Sequence, residues 1–238
     1  MTANSMKENQ RTMENTMERL STGKRINSAS DDAAGLAIET RMTSQIKGLS
    51  QAARNANDGI SMLQTADGAL GQGNEMLQRM RELSVQASTG TLGVEDIANL
   101  DQEFAALASE IDRLATDMTF NNVAILASTA NYNIMVGADE ADVIVISMTD
   151  SRLPDALRSL MTPGTGFGVN SDSMIETLDF MIETNVGSRV ALGASINRLE
   201  YTVDNLNTTI LNTQAAKSQI VDADYASETT ELARTQII

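Results

Sequence analysis

Three groups of residues in this chain have types and spacing that chemistry could use. Asp31 and Asp32 are adjacent carboxylates, the raw material of an acid–base pair. Asp139, Glu140 and Asp142 offer oxygen ligands of the kind a hard cation such as calcium takes. Gly164-Thr165-Gly166-Phe167-Gly168 has the glycine content of a phosphate-cradling loop. Each group also has a simpler reading. Neighbouring residues on a helix point about 100° apart, so the two aspartates diverge. Lying after Ser30 and before an Ala-rich run, they suit capping of a helix whose positive end they meet. The acidic trio lacks the rest of a twelve-residue calcium loop and reads as a solvated turn. The glycine loop lacks the lysine that phosphate loops carry and reads as a connector.

Absences narrow the chemistry further. The chain has no cysteine and no histidine, which removes disulfides, thiolate metal sites and every Ser-His or Cys-His nucleophile arrangement. No catalytic, cofactor-binding or metal residue is therefore assigned, and the expectation is a protein that is not an enzyme and needs no cofactor. The formal charge of -15 repels nucleic acid and anionic lipid. No stretch approaches the roughly 20 apolar residues that span a bilayer. Met1 to Arg11 is polar, without the apolar core of a cleavable signal, so export would use another route or a start that is absent here.

The elements that must position these residues read as long helices. Ile97, Leu100, Phe104, Leu107, Ile111, Leu114 and Met118 are separated by steps of 3, 4, 3, 4, 3 and 4. Leu192, Ile196, Leu199, Val203, Leu206 and Ile210 follow steps of 4, 3, 4, 3 and 4, again the spacing of a coiled-coil seam. We read both stripes as an intramolecular helix seam, because an amphipathic helix must first satisfy its own fold. Subunit contacts are then expected on the polar flanks. Hydrophobic residues make up 42% of the chain but aromatic ones only 3%, which suits thin helix-helix seams filled by Met, Ala, Leu and Ile.

From Ile38 to Ala87 apolar residues recur at helical spacing through Gly48, Gly59, Gly68, Gly71 and Gly73. Each glycine weakens an isolated helix by up to about 1 kcal/mol, and close packing is the expected reason for all five. Ser21 to Ser28 reads as an irregular link, and Thr89 to Gly93 as a turn that folds the Ile97–Met118 helix back antiparallel. Tyr132, Ile134 and Val136 alternate with Asn133 and Met135, and Val143 to Ile146 is β-branched. With turn residues from Gly137 to Asp142 between them, these predict a β-hairpin. A short helix around Leu153 to Met161 and a loop from Pro163 to Gly168 follow. A last helix runs from about Ser173 to beyond Ala216, about 65 Å long. The fold class expected is mainly α: an elongated antiparallel helical bundle or coiled coil formed by the N- and C-terminal segments, with a small β-hairpin in the middle.

The run from Leu20 to Ile38, LSTGKRINSASDDAAGLAI, closely resembles the N-terminal signature of bacterial flagellins. Asn55 to Leu70, NANDGISMLQTADGAL, and Met80 to Ala87, MRELSVQA, look like the next two blocks of that family. Glu110-Ile111-Asp112-Arg113 followed by Thr119-Phe120-Asn121 is similar to its turn region after the second helix. Leu192-Gly193-Ala194 with Asn197-Arg198-Leu199-Glu200, and then Ile220 to Ala226, resemble its C-terminal block. The resemblance covers roughly residues 1 to 127 and 172 to 238. The family usually has glycine after Phe-Asn, where this chain has Asn122, a residue that tolerates left-handed backbone.

The resemblance implies a secreted structural subunit that polymerises with other flagellin subunits into the flagellar filament at the cell surface. It implies an export chaperone, cap and junction proteins as partners. The Toll-like receptor for flagellin is a further one, with Arg79, Leu83, Gln86 and Glu103 as candidate receptor or subunit contacts by residue match. The expected organisation is 1–28 remnant of the N-terminal filament-core helix and linker, 29–127 N-terminal helical part, 128–171 short variable hairpin and loop, 172–222 C-terminal helix, and 223–238 start of the C-terminal core helix. Parts of both outermost family helices are expected to be missing. The alternatives are a hook-filament junction protein, or a surface ligand-binding protein or adhesin on the same scaffold.

Overall fold

Asp32 sets where the first long helix begins. Its Oδ1 accepts the backbone N–H groups of Ala34 at 3.0 Å and Gly35 at 2.9 Å, two of the donors that a helix start leaves unpaired. Asp31 instead accepts the N–H groups of Asn27 (3.1 Å) and Ser28 (2.8 Å), closing the turn before the helix. The computed structural model describes residues 2–139, 141–154 and 171–237. In chain order the elements are α1 (Thr2–Thr22), α2 (Ala33–Ala87), α3 (Val94–Asp117), β1 (Thr119–Phe120), β2 (Val123–Ala124), β3 (Ala130–Met135), β4 (Val143–Met148), α4 (Ser171–Val221) and α5 (Tyr225–Ile237). The mainly helical class with a small antiparallel hairpin is as the sequence predicts. Past Pro154, the expected short helix and glycine loop lie outside the described residues, as does Glu140.

The chain divides into two compact units, one of residues 1–53, 137–139 and 204–238, the other of 54–136 and 140–203. In the first, α1 packs against α5. Gly23, at φ +69°, ends α1, a left-handed position that glycine takes without steric cost. Beyond it the backbone pairs with the α4–α5 junction: the Arg25 N–H donates to Val221 O (2.6 Å) and the Ala223 N–H to Gly23 O (3.0 Å). The Tyr225 hydroxyl donates to Leu20 O at 2.8 Å, and Arg19 pairs with Glu228 at 3.3 Å. Leu206 is buried with Ala52 and Ala53, and Ile210 is half-buried.

In the second unit, β3 and β4 pair antiparallel with Ile134 opposite Ile144 and Tyr132 opposite Ile146. Alternation sends Ile144, Ile146 and Met148 into a core shared with Leu63, Ala66, Leu70, Leu192 and Leu199. A smaller hairpin joins β1 to β2, with Phe120 paired to Val123. Its two turn residues, Asn121 and Asn122, lie at φ 49° and 64°, the mirror-image turn that suits a two-residue connection. Asn122 thus occupies the left-handed position expected of it. The N-terminus of α3 is fastened by the Asp96 carboxylate, which accepts the Gly93 N–H at 3.1 Å.

Candidate assembly surface

The helix surfaces of the second unit are fixed by a seam that the large apolar residues conceal. On α2, Ala56, Gly59, Leu63, Ala66, Leu70, Gly73, Leu77, Met80, Ser84 and Ala87 alternate steps of 3 and 4 without a break, and all are buried. Most of these residues are Ala, Gly or Ser, so reading only large apolar side chains overlooks the heptad. Counting small residues as seam members would have found it. Opposite them on α4, Leu178, Asn185, Leu192 and Leu199 recur every seven residues. A Cβ on Gly59 would stand 3.4 Å from Leu199 Cδ1, and one on Gly73 would stand 3.6 Å from Asn185 Nδ2. Rising numbers on α2 meet falling numbers on α4, so the two helices run antiparallel.

The sequence-predicted seam residues occupy this interior. Phe104, Ile111, Leu192 and Leu199 are buried, while Ile97, Leu100, Leu107, Leu114, Met118, Ile196 and Val203 are half-buried against the cores. The α3 stripe is broader than the heptad: Ala108 and Ala115 are also buried. Along its length α3 contributes to both hydrophobic clusters of the unit, from Ile97 to Ile111 to one and from Leu114 to Met118 to the other. Close packing explains Gly48, whose Cβ would meet that of Ala138 at 3.3 Å, and Gly59, whereas a Cβ at Gly71 or Gly73 would make only ordinary contacts, at 3.8 Å with Arg189 and 3.6 Å with Asn185. Close packing does not explain Gly68, where an added Cβ would meet nothing within 4 Å.

Charged flanks tie the helices across the seam. Arg189 Nε donates to Asp67 Oδ1 at 2.8 Å, and Arg81 forms a two-point pair with Asp179. Arg79 bridges α2 and α3, its Nε donating to Glu103 Oε1 at 2.9 Å and its Nη1 to Glu82 Oε2 at 3.0 Å. These bonds, first to Glu103 and then to Glu82, raise the guanidinium's already high pKa. Of the candidate contacts, Arg79, Gln86 and Glu103 are exposed. Leu83 departs from its expected surface role: its side chain is 0% exposed, in the core with Phe104 and Leu178. Two buried amide oxygens, Asn74 Oδ1 and Asn185 Oδ1, have no hydrogen-bond partner among the described residues. Asn185 also lines a groove of about 200 Å³ with Leu77, Phe180 and Met181.

The carboxylates with conceivable chemistry are placed structurally. Asp32 caps α2 and Asp31 closes a turn. Asp139 and Asp142 are exposed at the tip of the β3–β4 hairpin. Among the described residues no group of three acidic side chains is gathered to hold a metal ion, and no helix is long and apolar enough to cross a membrane.

Long helices that bury small-residue seams against each other, stapled along their flanks by ion pairs, define a structural helical protein. The family model described as the bacterial flagellin N-terminal helical region matches residues 1–131, and that of the bacterial flagellin C-terminal helical region matches 175–238. The chain belongs to the bacterial flagellin family, and it is a structural subunit of the flagellar filament, a polymer of flagellin subunits outside the cell.

Flagellin of Halalkalibacterium halodurans is 43% identical over 223 residues, covering 93% of this chain and 82% of that protein. Flagellin of Bacillus subtilis is 36% identical over 271 residues, covering 100% and 89%. The crystal structure of Bacillus cereus flagellin matches at 30% identity with a TM-score of 0.56, over 69% of this chain and 94% of that one. A putative flagellar hook-associated protein from Vibrio parahaemolyticus shares the fold, with a TM-score of 0.69 at 14% identity, over 81% and 100%.

Proposed function

We propose that this chain is secreted through the flagellar export route, polymerises with copies of itself, and contributes no enzymatic activity of its own. One observation supports this most directly. The α2–α4 seam is filled within a single chain, which leaves the outer helix faces for contact with further copies, and a head-to-tail contact there that does not close on itself gives a filament. An export chaperone, a cap protein and junction proteins are the partners this role requires. The breaks at Gly23 to Ile26 and Asp222 to Asp224 support the division into core-helix ends, 1–28 and 223–238, flanking the parts 29–127, 128–171 and 172–222. Arg79, Gln86 and Glu103 form the exposed candidate face for the Toll-like receptor for flagellin or for a neighbouring subunit. A partner that engages Arg79 there must compete with Glu82 and Glu103.

Expression in a flagellated bacterium deprived of its own filament protein tests the reading. Filaments in the electron microscope, containing this chain and accompanied by restored swimming, are expected. Secreted chain that stays monomeric, under conditions in which a known flagellin polymerises, would overturn it.

A further inference from the structure

Helix α4 carries a second stripe that, among the described residues, stays outside the buried seam, with Phe180 alone reaching the groove beside Leu77. Phe180, Glu183, Gly187, Val190, Ala194, Asn197 and Tyr201 follow steps of 3, 4, 3, 4, 3 and 4, and all of them are exposed. At about 100° per residue the stripe falls on the side of α4 opposite Leu178, Asn185, Leu192 and Leu199. Its large members are unusually bare for a chain so poor in aromatic residues: Phe180 and Val190 are each 67% exposed and Tyr201 is 76%. Among the described residues the Tyr201 hydroxyl makes no hydrogen bond, whereas Tyr132 donates to Ala124 O at 2.7 Å and Tyr225 to Leu20 O at 2.8 Å.

Two glycines give the stripe a purpose beyond scattered apolar exposure. Gly187 and Gly193 lie inside α4, where glycine weakens a helix relative to alanine. A Cβ at either would meet nothing within 4 Å. Packing among the described residues therefore gives no reason for them. Beside Val190 and Ala194 they leave bare backbone that a second helix can approach closely. Charge favours the same surface. Copies of a chain with formal charge -15 repel one another, and between Phe180 and Tyr201 the stripe carries one acidic residue, Glu183, its steps reaching acidic residues again at Glu176 and Asp204.

We propose that the outward stripe of α4 is a second coiled-coil seam, on which a helix of a neighbouring copy packs in the filament. This rests on the polymer reading above. It assigns the contact to an apolar helix face rather than to the polar flanks that the sequence pointed to.

Two variants of the full chain test it, Gly187→Leu and Val190→Cys, the latter supplying the sole thiol. The Gly187→Leu subunit is expected to keep its helix content and a Tm no lower than the parent, because the new side chain enters open space. Its polymerised mass is expected to fall by about tenfold or more. The V190C thiol should react readily with maleimide in free subunits and about tenfold or more slowly in filaments. Normal polymerisation of Gly187→Leu together with equal thiol reactivity in both states would overturn the seam and leave the polymer reading intact. Should Gly187→Leu fail to fold, thiol protection alone decides. A parent chain that forms no filaments where a known flagellin does would overturn the polymer reading and the seam with it.

Discussion

Arg189 holds Asp67 by two hydrogen bonds, Nε to Oδ1 at 2.8 Å and Nη2 to Oδ2 at 3.3 Å, tying α4 to α2 beside the buried seam. Both side chains keep more than a third of their surface in water, so screening limits what the pair contributes. A double-mutant cycle with Asp67→Ala and Arg189→Ala is expected to return a coupling of about 0.2–1 kcal/mol. Urea unfolding at low and high salt would measure it. The coupling should shrink as salt rises.

Glycine positions on α2 separate by what surrounds them. A Cβ at Gly59 would stand 3.3 Å from Ile134 Cγ1 and 3.4 Å from Leu199 Cδ1, so a leucine there must displace both the hairpin and α4. Gly59→Leu is expected to cost about 1–3 kcal/mol or more. Gly68→Ala adds a methyl in open space and should stabilise by up to about 1 kcal/mol. Unfolding midpoints that moved in the same direction for both variants would refute the distinction.

Phe104 is fully buried among Leu77, Met80, Leu83 and Leu178, whereas Ile97 is half-buried near the start of α3. Truncating Phe104 to alanine is expected to cost about 3–5 kcal/mol, and truncating Ile97 clearly less. Chemical denaturation of the two variants checks the order. Equal losses would mean that the core does not follow the burial seen along α3.

Much of this architecture was legible because helices write their faces at a fixed spacing. Phe104, Ile111, Leu192, Leu199 and Leu206 are buried where the apolar steps put them, and the β3–β4 hairpin lies at the change of period. The α2 seam was harder to see because Gly59, Ala66, Gly73 and Ser84 contribute shape rather than hydrophobicity. Their role shows only once Leu199 or Asn185 stands opposite. Residue matching placed Leu83 on the surface together with Arg79. On a helix, though, four residues amount to little more than one turn, and Leu83 turns into the core while Arg79 stays on the flank. The outward heptad of α4 was equally present in the sequence. Its exposure was not, because periodicity alone does not say which of two stripes faces the partner within the chain.

Acid should destabilise the subunit, and the sign follows from where the carboxylates sit. The N–H groups of Ser28 and Asn27, and then the Ser28 hydroxyl, hold the Asp31 carboxyl below its ordinary value of 3.8. Hydrogen bonds from Arg113 lower Glu110, those from Arg152 lower Asp150, and those from Arg234 lower Glu231. A carboxylate whose pKa is lower folded than unfolded contributes stability that is complete above the unfolded value and is lost as pH falls through the folded one. With no histidine in the chain, no side chain of ordinary pKa titrates between about pH 5.5 and 7.5. The Tm of dilute subunits is therefore expected to stay level across that range and to fall below about pH 4. Asp31→Asn, which removes one of these lowered groups, should make the acid fall shallower. A midpoint near pH 6.5, or an acid limb unchanged in Asp31→Asn, would contradict this assignment of the titrating groups.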